Sequence, residues 1–345
     1  MKRWMVVAAL GLAAVGGIVT PGAARASSSS WYQVYQSGFA GGFDQVAAIS
    51  KSNIWAVGDI SKAGKTVYQP FIRHFNGRSW QAVTIPDSAG STSSWVSASA
   101  SNNVWVGGLK NGPVATSVVY RWNGARWGKV PLPAMTAVGD VVALAPNNVW
   151  ALAYSGTVPD DIFHWNGSRW QYYLPDTINF IPQGISASAA NNVWVSGYSY
   201  SGRKQEAAAY RWNGSAWHAV SMPHPVVYDG PTVSAVSPSN VWIGYDASST
   251  RSYALHWDGH QWHTVTPSYY ASVYDIVPDG KGGYWFGPQA ILTGSKWTNE
   301  QLPEFTGGNG PGVVRIPGTT SFLLNAAVAT GNPSTEKPTI FQFNL

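Results

Sequence analysis

From about residue 31 to its last residue, the chain alternates short apolar runs with polar turns that contain glycine. Val96-Ser97-Ala98-Ser99 and Val141-Val142-Ala143-Leu144 are typical runs, and the second ends in the polar turn Pro146-Asn147-Asn148. No stretch repeats its apolar residues with the period of a helix, whereas β-branched and aromatic residues concentrate in the runs. The pattern predicts an all-β protein.

Two short motifs recur through the chain, and successive copies of the first are 43 to 50 residues apart. The first is typified by Asn103-Val104-Trp105, and its last copy is the weaker Gly283-Tyr284-Trp285. The second follows each copy of the first and is typified by Trp122-Asn123-Gly124, with Trp127 three residues after the glycine. A repeat of this length indicates a propeller or a solenoid.

Each repeat divides into four strands, which we name a to d from the inside of the repeat outward. Strand b carries the Val-Trp pair, and strand c ends at the aromatic residue before Asn-Gly, a dipeptide typical of hairpin turns. The last repeat reaches Leu345 without a fourth strand, whereas Trp31-Tyr32-Gln33-Val34-Tyr35 matches the strand-d pattern of Trp170-Gln171-Tyr172-Tyr173. We therefore predict a seven-bladed β-propeller of four-stranded antiparallel blades, a ring closed by the N-terminal strand pairing in the C-terminal blade.

The first 26 residues have the organisation of a signal peptide. Lys2 and Arg3 precede an apolar stretch that begins at Met5, and Ala24-Arg25-Ala26 is a small-residue cleavage pattern. The apolar stretch is too short and too rich in glycine to span a bilayer, and no second one follows it. We expect residues 1–26 to be removed and residues 27–345 to be secreted as a single extracellular propeller domain with no membrane span.

The charge and the cysteine content of the chain exclude several classes of partner and site. The chain has 21 Lys and Arg, 16 Asp and Glu and no Cys. Three of the basic residues belong to the signal peptide, and no basic cluster remains that would bind a phosphate backbone, so we expect no nucleic-acid partner. The lack of Cys excludes disulfides and thiolate metal sites. No calcium loop, P-loop or serine elbow occurs, and we expect no cofactor, no metal and a monomer.

Most of the residues that look chemically active have a structural interpretation. Of the 19 Trp residues, 17 occupy repeated positions, where they are expected to fill the space between blades. A basic column precedes the aromatic residue of strand c and consists of His74, Arg121, His164, Arg211 and His256. Its members are spread around the ring, so we expect them to stack on Trp or bond to the next blade rather than share a metal ion.

The d-to-a and b-to-c connections vary from blade to blade and lie together on one face of a propeller. Loops held by a rigid scaffold often carry binding residues, so this variable-loop face is the expected working surface. Its aromatic residues, carboxylates and amides suit a sugar, which offers an apolar C–H face and a rim of hydroxyls. Asp275 is expected to face the central channel, and no residue is predicted to be catalytic. The candidate ligand-binding residues are Trp95, Asp140, Phe180, Tyr228, Asp229, Tyr270 and Asp275.

The repeat also carries a family resemblance. The pattern of Trp127-Gly128-Lys129-Val130-Pro131-Leu132-Pro133, Asn148-Val149-Trp150 and Tyr210-Arg211-Trp212-Asn213-Gly214 resembles the repeat of the tectonin and tachylectin-1-like propellers over nearly the whole mature chain. The repeat is longer here, and it has inserted b-to-c loops such as that from Ile60 to Tyr68. The resemblance implies a glycan-binding or surface-recognition module. A weaker likeness links the Asn-Gly-x-x-Trp turn to the Asp-box of sialidase-like propellers, although the Ser-x-Asp lead is missing.

These observations leave three hypotheses open. The first is a secreted, non-catalytic, lectin-like recognition protein whose partner is an extracellular or cell-wall glycan, bound on the variable-loop face. The second is a glycosidase or polysaccharide lyase with its acids among Asp140, Asp229 and Asp275, which would need two carboxylates about 5 to 10 Å apart. The third is an interaction scaffold for a surface protein, which would show a large apolar patch on one face.

Overall fold

The computed structural model is a seven-bladed β-propeller in which every blade is a four-stranded antiparallel sheet. It describes residues 31–62, 65–133, 137–155, 158–173, 180–201, 204–223, 227, 229–248, 250–266, 273, 275–287, 289–303, 312–328 and 336–344. The predicted signal peptide lies outside these residues. The described residues form no helix, and therefore none with the length and apolar character of a membrane span.

The blades are numbered 1 to 7 in chain order, and strand a of each lies next to the central axis. The a strands are β2 (Ala40–Ser50), β6 (Trp95–Ala100), β10 (Ala137–Ala145), β14 (Phe180–Ala189), β18 (Asp229–Ser237), β22 (Ile276–Pro278) and β26 (Val313–Arg315). The b strands are β3 (Asn53–Lys62), β7 (Asn103–Lys110), β11 (Asn148–Ser155), β15 (Asn192–Ser201), β19 (Asn240–Ser248), β23 (Tyr284–Phe286) and β27 (Ser321–Val328).

The two outer strands complete each sheet. The c strands are β4 (Lys65–Phe75), β8 (Thr116–Trp122), β12 (Val158–Trp165), β16 (Lys204–Trp212), β20 (Arg251–Trp257), β24 (Ala290–Thr293) and β28 (Lys337–Asn344). The d strands are β5 (Trp80–Val83), β9 (Trp127–Val130), β13 (Trp170–Tyr173), β17 (Trp217–Val220), β21 (Trp262–Val265), β25 (Lys296–Asn299) and β1 (Trp31–Gln36).

The ring closes as the sequence predicts. The a strands contact one another in turn from β2 to β26, and β26 contacts β2 again. Strand β1 is antiparallel to β28, with Trp31 opposite Phe343 and Tyr32 opposite Gln342. The Trp31 ring is only 6% exposed and lies 5.5 Å from Trp285 of blade 6 and 5.2 Å from Phe343. The N-terminal strand therefore supplies both the fourth strand of blade 7 and part of the hydrophobic core between blades 6 and 7.

Large aromatic rings fill the wedges between neighbouring blades. Trp105 in strand b of blade 2 is fully buried and meets Trp165 and Trp170 of blade 3 edge-on, at 5.8 and 5.9 Å. Edge-to-face geometry places the positive edge of one ring on the negative face of another, which adds to the benefit of burying both. The repeated Trp residues are thus packing columns, as their spacing predicts.

In the c-to-d turns, Asn and Gly stabilise the turn in different ways. In blade 1 the Asn76 side-chain oxygen accepts hydrogen bonds from the backbone N–H groups of Arg78 and Ser79, at 3.0 and 3.1 Å. Gly77 alone takes a positive φ, 93°, a region that residues with a Cβ adopt only at a steric cost. Asn76 has no positive φ and stabilises the turn through its side chain, as an Asx turn.

Candidate functional site

Two of the candidate aromatic residues are part of the core. Trp95 begins β6 opposite Gly107, is 5% exposed, and its indole N–H donates to the carbonyl of Val138 at 3.2 Å. A Cβ at Gly107 would overlap the Trp95 ring, so this glycine provides the space that the indole occupies. Phe180 is 1% exposed and packs edge-on against Tyr210 at 4.7 Å. Neither ring presents a free face to a ligand.

Three other candidates are described only in part or not at all. Asp229 opens β18 opposite Asp246, and its side chain lies outside what the structure describes. Tyr228 and Tyr270 lie outside the described residues. Ligand binding by these three residues stays a prediction.

Asp140 and Asp275 occupy equivalent positions in blades 3 and 6, each ten residues before the Trp of strand b. The Asp140 carboxylate accepts from the N–H of Ile185 in blade 4 at 3.1 Å and from that of Val141 at 2.9 Å. Asp275 accepts from the N–H of Val313 in blade 7 at 3.4 Å. Burial raises the pKa of both carboxyls and is the main reason why the pKa of Asp275 reaches about 6, while the charge of Asp140 adds a smaller increase. The fold thus brings the two carboxylates within electrostatic reach of each other.

At the same position in blade 1, a side-chain hydrogen bond links blade 1 to blade 2, and we call such a link a clamp. The Gln45 side-chain oxygen accepts from the N–H of Val96 at 2.8 Å, in the way that Asp140 and Asp275 accept from their following blades. Two residues along strand a, Ser97 accepts from the N–H of Ala143 in the next blade at 2.9 Å. These side chains hold neighbouring inner strands together, a function that sequence reasoning missed because Gln, Asp and Ser share no recognisable letter pattern.

The basic column stacks on the Trp residues of strand b, as expected. His74 lies 4.1 Å from the Trp55 ring and nearly parallel to it, and its Nε2 is 2.9 Å from the Asn53 side-chain oxygen. The guanidinium of Arg121 lies 5.5 Å from the Trp105 ring centre. Histidine occupies the column in blades 1, 3 and 5 and arginine in blades 2 and 4. Burial lowers the pKa of all three histidines, so their rings are neutral at pH 7.

No group of three or more His, Asp or Glu side chains among the described residues is arranged to hold a metal ion.

A groove of about 760 Å³ lies between blades 4 and 5; we call it the 4/5 groove. The fully buried Trp194 contributes to its wall, and the Arg211 guanidinium lies 5.9 Å from that ring. Trp257 and Trp262 of blade 5 are half-buried and lie 6.1 and 6.0 Å from Trp194. The lining includes Asn213 of the c-to-d turn of blade 4, His260 and Gln261 of the same turn of blade 5, and Ser221 to Pro223, which follow strand d of blade 4.

Several hydrogen-bond donors in the 4/5 groove lack a partner among the described residues. They are Arg211 Nε, Trp257 Nε1 and Trp262 Nε1, and all three atoms are buried. At the rim, Asn213 Nδ2 and His218 Nε2 are 2.8 Å apart, and Gln261 is exposed. Buried donors without an acceptor are unfavourable, and a bound group that supplies acceptors would relieve this cost once the side chains turn toward the groove. The groove therefore combines aromatic walls with unsatisfied donors.

A smaller cleft of about 420 Å³ lies at the corresponding place between blades 1 and 2. Its lining includes Trp55 and His74 of blade 1 and Trp122 of blade 2. The grooves are thus a recurrent feature of this ring, and their chemistry changes with the residue in the basic column.

No protein-family model and no curated protein matches this chain. Among solved structures, YCF48 from Cyanidioschyzon merolae is similar, with a TM-score of 0.58, 14% identity, and coverage of 91% of this chain and 98% of that one. The β-propeller domain of the Trilobed protease from Pyrococcus furiosus has a TM-score of 0.58 at 9% identity, covering 88% and 95%. The SapL1 lectin in complex with α-methyl fucoside has a TM-score of 0.47 at 15% identity, covering 77% and 97%. At these identities the first two likenesses show the β-propeller fold alone, and the tectonin-type assignment stays a prediction.

Proposed function

We propose that this protein is an exported, non-catalytic recognition protein that binds carbohydrate, and that the 4/5 groove is its binding site. The observation that carries the proposal is the pairing of two half-buried indoles, Trp257 and Trp262, with buried donors that have no described partner. A pyranose stacks its apolar C–H face on an aromatic ring, and its hydroxyl oxygens accept hydrogen bonds at the edge. The volume of the groove falls within the range of roughly 300–1,000 Å³ that is usual for small-molecule sites.

The proposal moves the site away from the residues that the sequence favoured. The side chains of Trp95 and Phe180 are buried in the core, whereas Trp257 and Trp262 of blade 5 keep part of their rings accessible. Rigid rings held by a sheet lose little freedom on binding, which favours affinity. The residues predicted on the variable loops remain a second surface for a longer glycan.

The test is binding to a glycan array and to insoluble polysaccharides, with the secreted protein and two variants. Trp262→Ala removes one wall of the groove and is expected to weaken binding by at least tenfold. Tyr172→Ala removes an aromatic ring that is 51% exposed on strand d of blade 3, away from the groove, and is the matched control. Thermal unfolding of each variant separates loss of the site from loss of the fold. Binding by no glycan, or equal binding by Trp262→Ala, would contradict the proposal.

Export is part of the proposal and has its own measurement. The charged start, apolar stretch and cleavage pattern of residues 1–26 support it. Mass spectrometry of protein recovered from the culture medium is expected to give an N-terminus near Ser27. Recovery of the intact N-terminus in the cell fraction would oppose it.

A glycosidase is a second candidate, favoured by the coupled pair Asp140 and Asp275. The pKa of about 6 for Asp275 lies in the range of a general acid, and two carboxylates near one another are the usual apparatus of glycoside hydrolysis. Both carboxylates are, however, engaged by backbone N–H groups of the next blade. Release of product from a panel of polysaccharides would support the enzyme if Asp275→Asn abolishes it. If no product is released, the non-catalytic recognition protein remains the better proposal.

A further inference from the structure

We propose that the 4/5 groove accepts a carboxylate-bearing sugar, such as the uronate unit of an acidic polysaccharide, with Arg211 pairing with the carboxylate. This inference rests on the carbohydrate-binding function proposed above and names its ligand class. Three observations carry it: the uncompensated charge of Arg211, the excess of donors over acceptors, and a second copy of the arrangement between blades 2 and 3.

The charge of Arg211 has no counter-ion among the described residues. None of the described residues that line the 4/5 groove is Asp or Glu. The nearby Asp258 is already engaged: one oxygen accepts from the N–H groups of His260 and Gln261, both at 2.8 Å, and the other is 2.6 Å from His263. These hydrogen bonds, above all the one with His263, lower the pKa of Asp258.

The unsatisfied groups in the groove are donors. Arg211 Nε and the indole N–H groups of Trp257 and Trp262 can only donate, and each is buried without a described partner. A carboxylate offers about four acceptor sites and no donor, and it matches the planar guanidinium in a charge-assisted, two-bond contact. Arginine is suited to such recognition because its donors form a rigid fork. A neutral sugar would satisfy the indoles but would leave the guanidinium without its counter-charge.

The arrangement recurs two blades away. In blade 2 the Arg121 guanidinium lies over Trp105, and Trp165 and Trp170 of blade 3 meet that ring at 5.8 and 5.9 Å. Arg121 Nε and Trp170 Nε1 also lack a partner among the described residues, whereas Trp165 donates to Pro146 at 3.2 Å. Where the column holds a histidine, its nitrogen is bonded to an Asn of the same blade instead.

Two arginine side chains that stack on Trp rings of the same propeller suit a polymer. A chain with repeated acidic units can engage both at once, and the second contact then forms at a high effective concentration. Binding through charge is also screened by salt, since exposed charges interact over a Debye length of only about 10 Å at 0.1 M ionic strength.

Affinity electrophoresis and calorimetry with polygalacturonate and alginate, each compared with its methyl-esterified form, test the inference. The ester keeps the sugar ring and removes the charge. The wild-type protein is expected to bind the free acid at least tenfold more tightly than the ester, with affinity falling as salt rises. Arg211→Gln is expected to lose this preference, and Arg211→Lys to keep part of it.

The control is His256→Gln, the same change at the column position of blade 5, whose ring stacks on Trp242 outside the groove. Glutamine is acceptable at this position, since blade 7 carries Gln342 there. Equal binding of acid and ester, or an unchanged preference in Arg211→Gln, would overturn the inference. If neutral glycans bind and Trp262→Ala abolishes that binding, the carbohydrate function survives without the acidic ligand. Binding to no polysaccharide would overturn both.

Discussion

Asp275 is expected to destabilise the protein at neutral pH, and replacing it with Asn should remove that cost. Burial and the charge of Asp140 raise the pKa of the Asp275 carboxyl from 3.8 to about 6. Because the folded-state pKa lies above that of the unfolded chain, ionisation favours unfolding. The cost is absent below pH 4, grows as the pH rises through 6, and is complete above that range. A difference of about two pKa units corresponds to roughly 3 kcal/mol.

Asn keeps a side-chain oxygen that can accept the Val313 N–H and carries no charge beside Asp140. Asp275→Asn is therefore expected to raise the free energy of unfolding by up to about 3 kcal/mol at pH 7.5 and to leave it unchanged at pH 4. Urea unfolding followed by Trp fluorescence at pH 4, 5.5 and 7.5 measures this. The control is Asp87→Asn, because Asp87 is exposed and its φ of 57° suits Asn equally well. The reasoning fails if the variant is less stable at pH 7.5 or if its gain is the same at every pH.

Three further predictions concern the packing. Trp31→Ala should lower the free energy of unfolding by about 3–5 kcal/mol in urea, the usual cost of deleting a buried indole; an unchanged value would mean that β1 does not close the ring. Asn103→Ala should lower the free energy of unfolding by about 1–3 kcal/mol in the same assay. In the wild type the buried indole N–H of Trp105 donates to the side-chain oxygen of Asn103 at 2.9 Å, and the substitution leaves this donor without an acceptor. Gly107→Ala should lower the melting temperature and alter the near-ultraviolet circular dichroism, because a methyl group there overlaps Trp95; a spectrum and stability like the wild type would contradict this contact.

The closed ring was predictable because its strands repeat. Trp31 to Tyr35 has the same alternation as strand d of blade 3, and an outer strand needs only its pattern and a partner to be recognised. Repetition also identified the strand-b Trp columns, whose burial is the same in blade after blade. Trp95 was harder to interpret, because it occurs once; Gly107, which lies opposite it, was the signal of a bulky neighbour.

The candidate site was less predictable for a geometric reason. Trp194, Trp257 and Trp262 all occupy repeated positions, and the sequence assigned them alike to packing. The structure buries Trp194 completely and the other two only in part, because neighbouring blades spread apart toward the outside of the ring. How far one blade covers the next depends on sheet twist, which no single residue pattern encodes. The clamps made by Gln45 and Asp140 depend in the same way on how adjacent inner strands meet.

The split blade also imposes an order on biosynthesis. Tyr32 accepts a hydrogen bond from Asn344, a residue 312 positions later. At ribosomal rates of about 5–20 residues per second, the early strand waits roughly 15 to 60 s for its partner. Until then the first six blades can form only an open arc, and each end of the arc is uncovered. Closure of the ring is therefore the last folding event, and it is the step most exposed to aggregation.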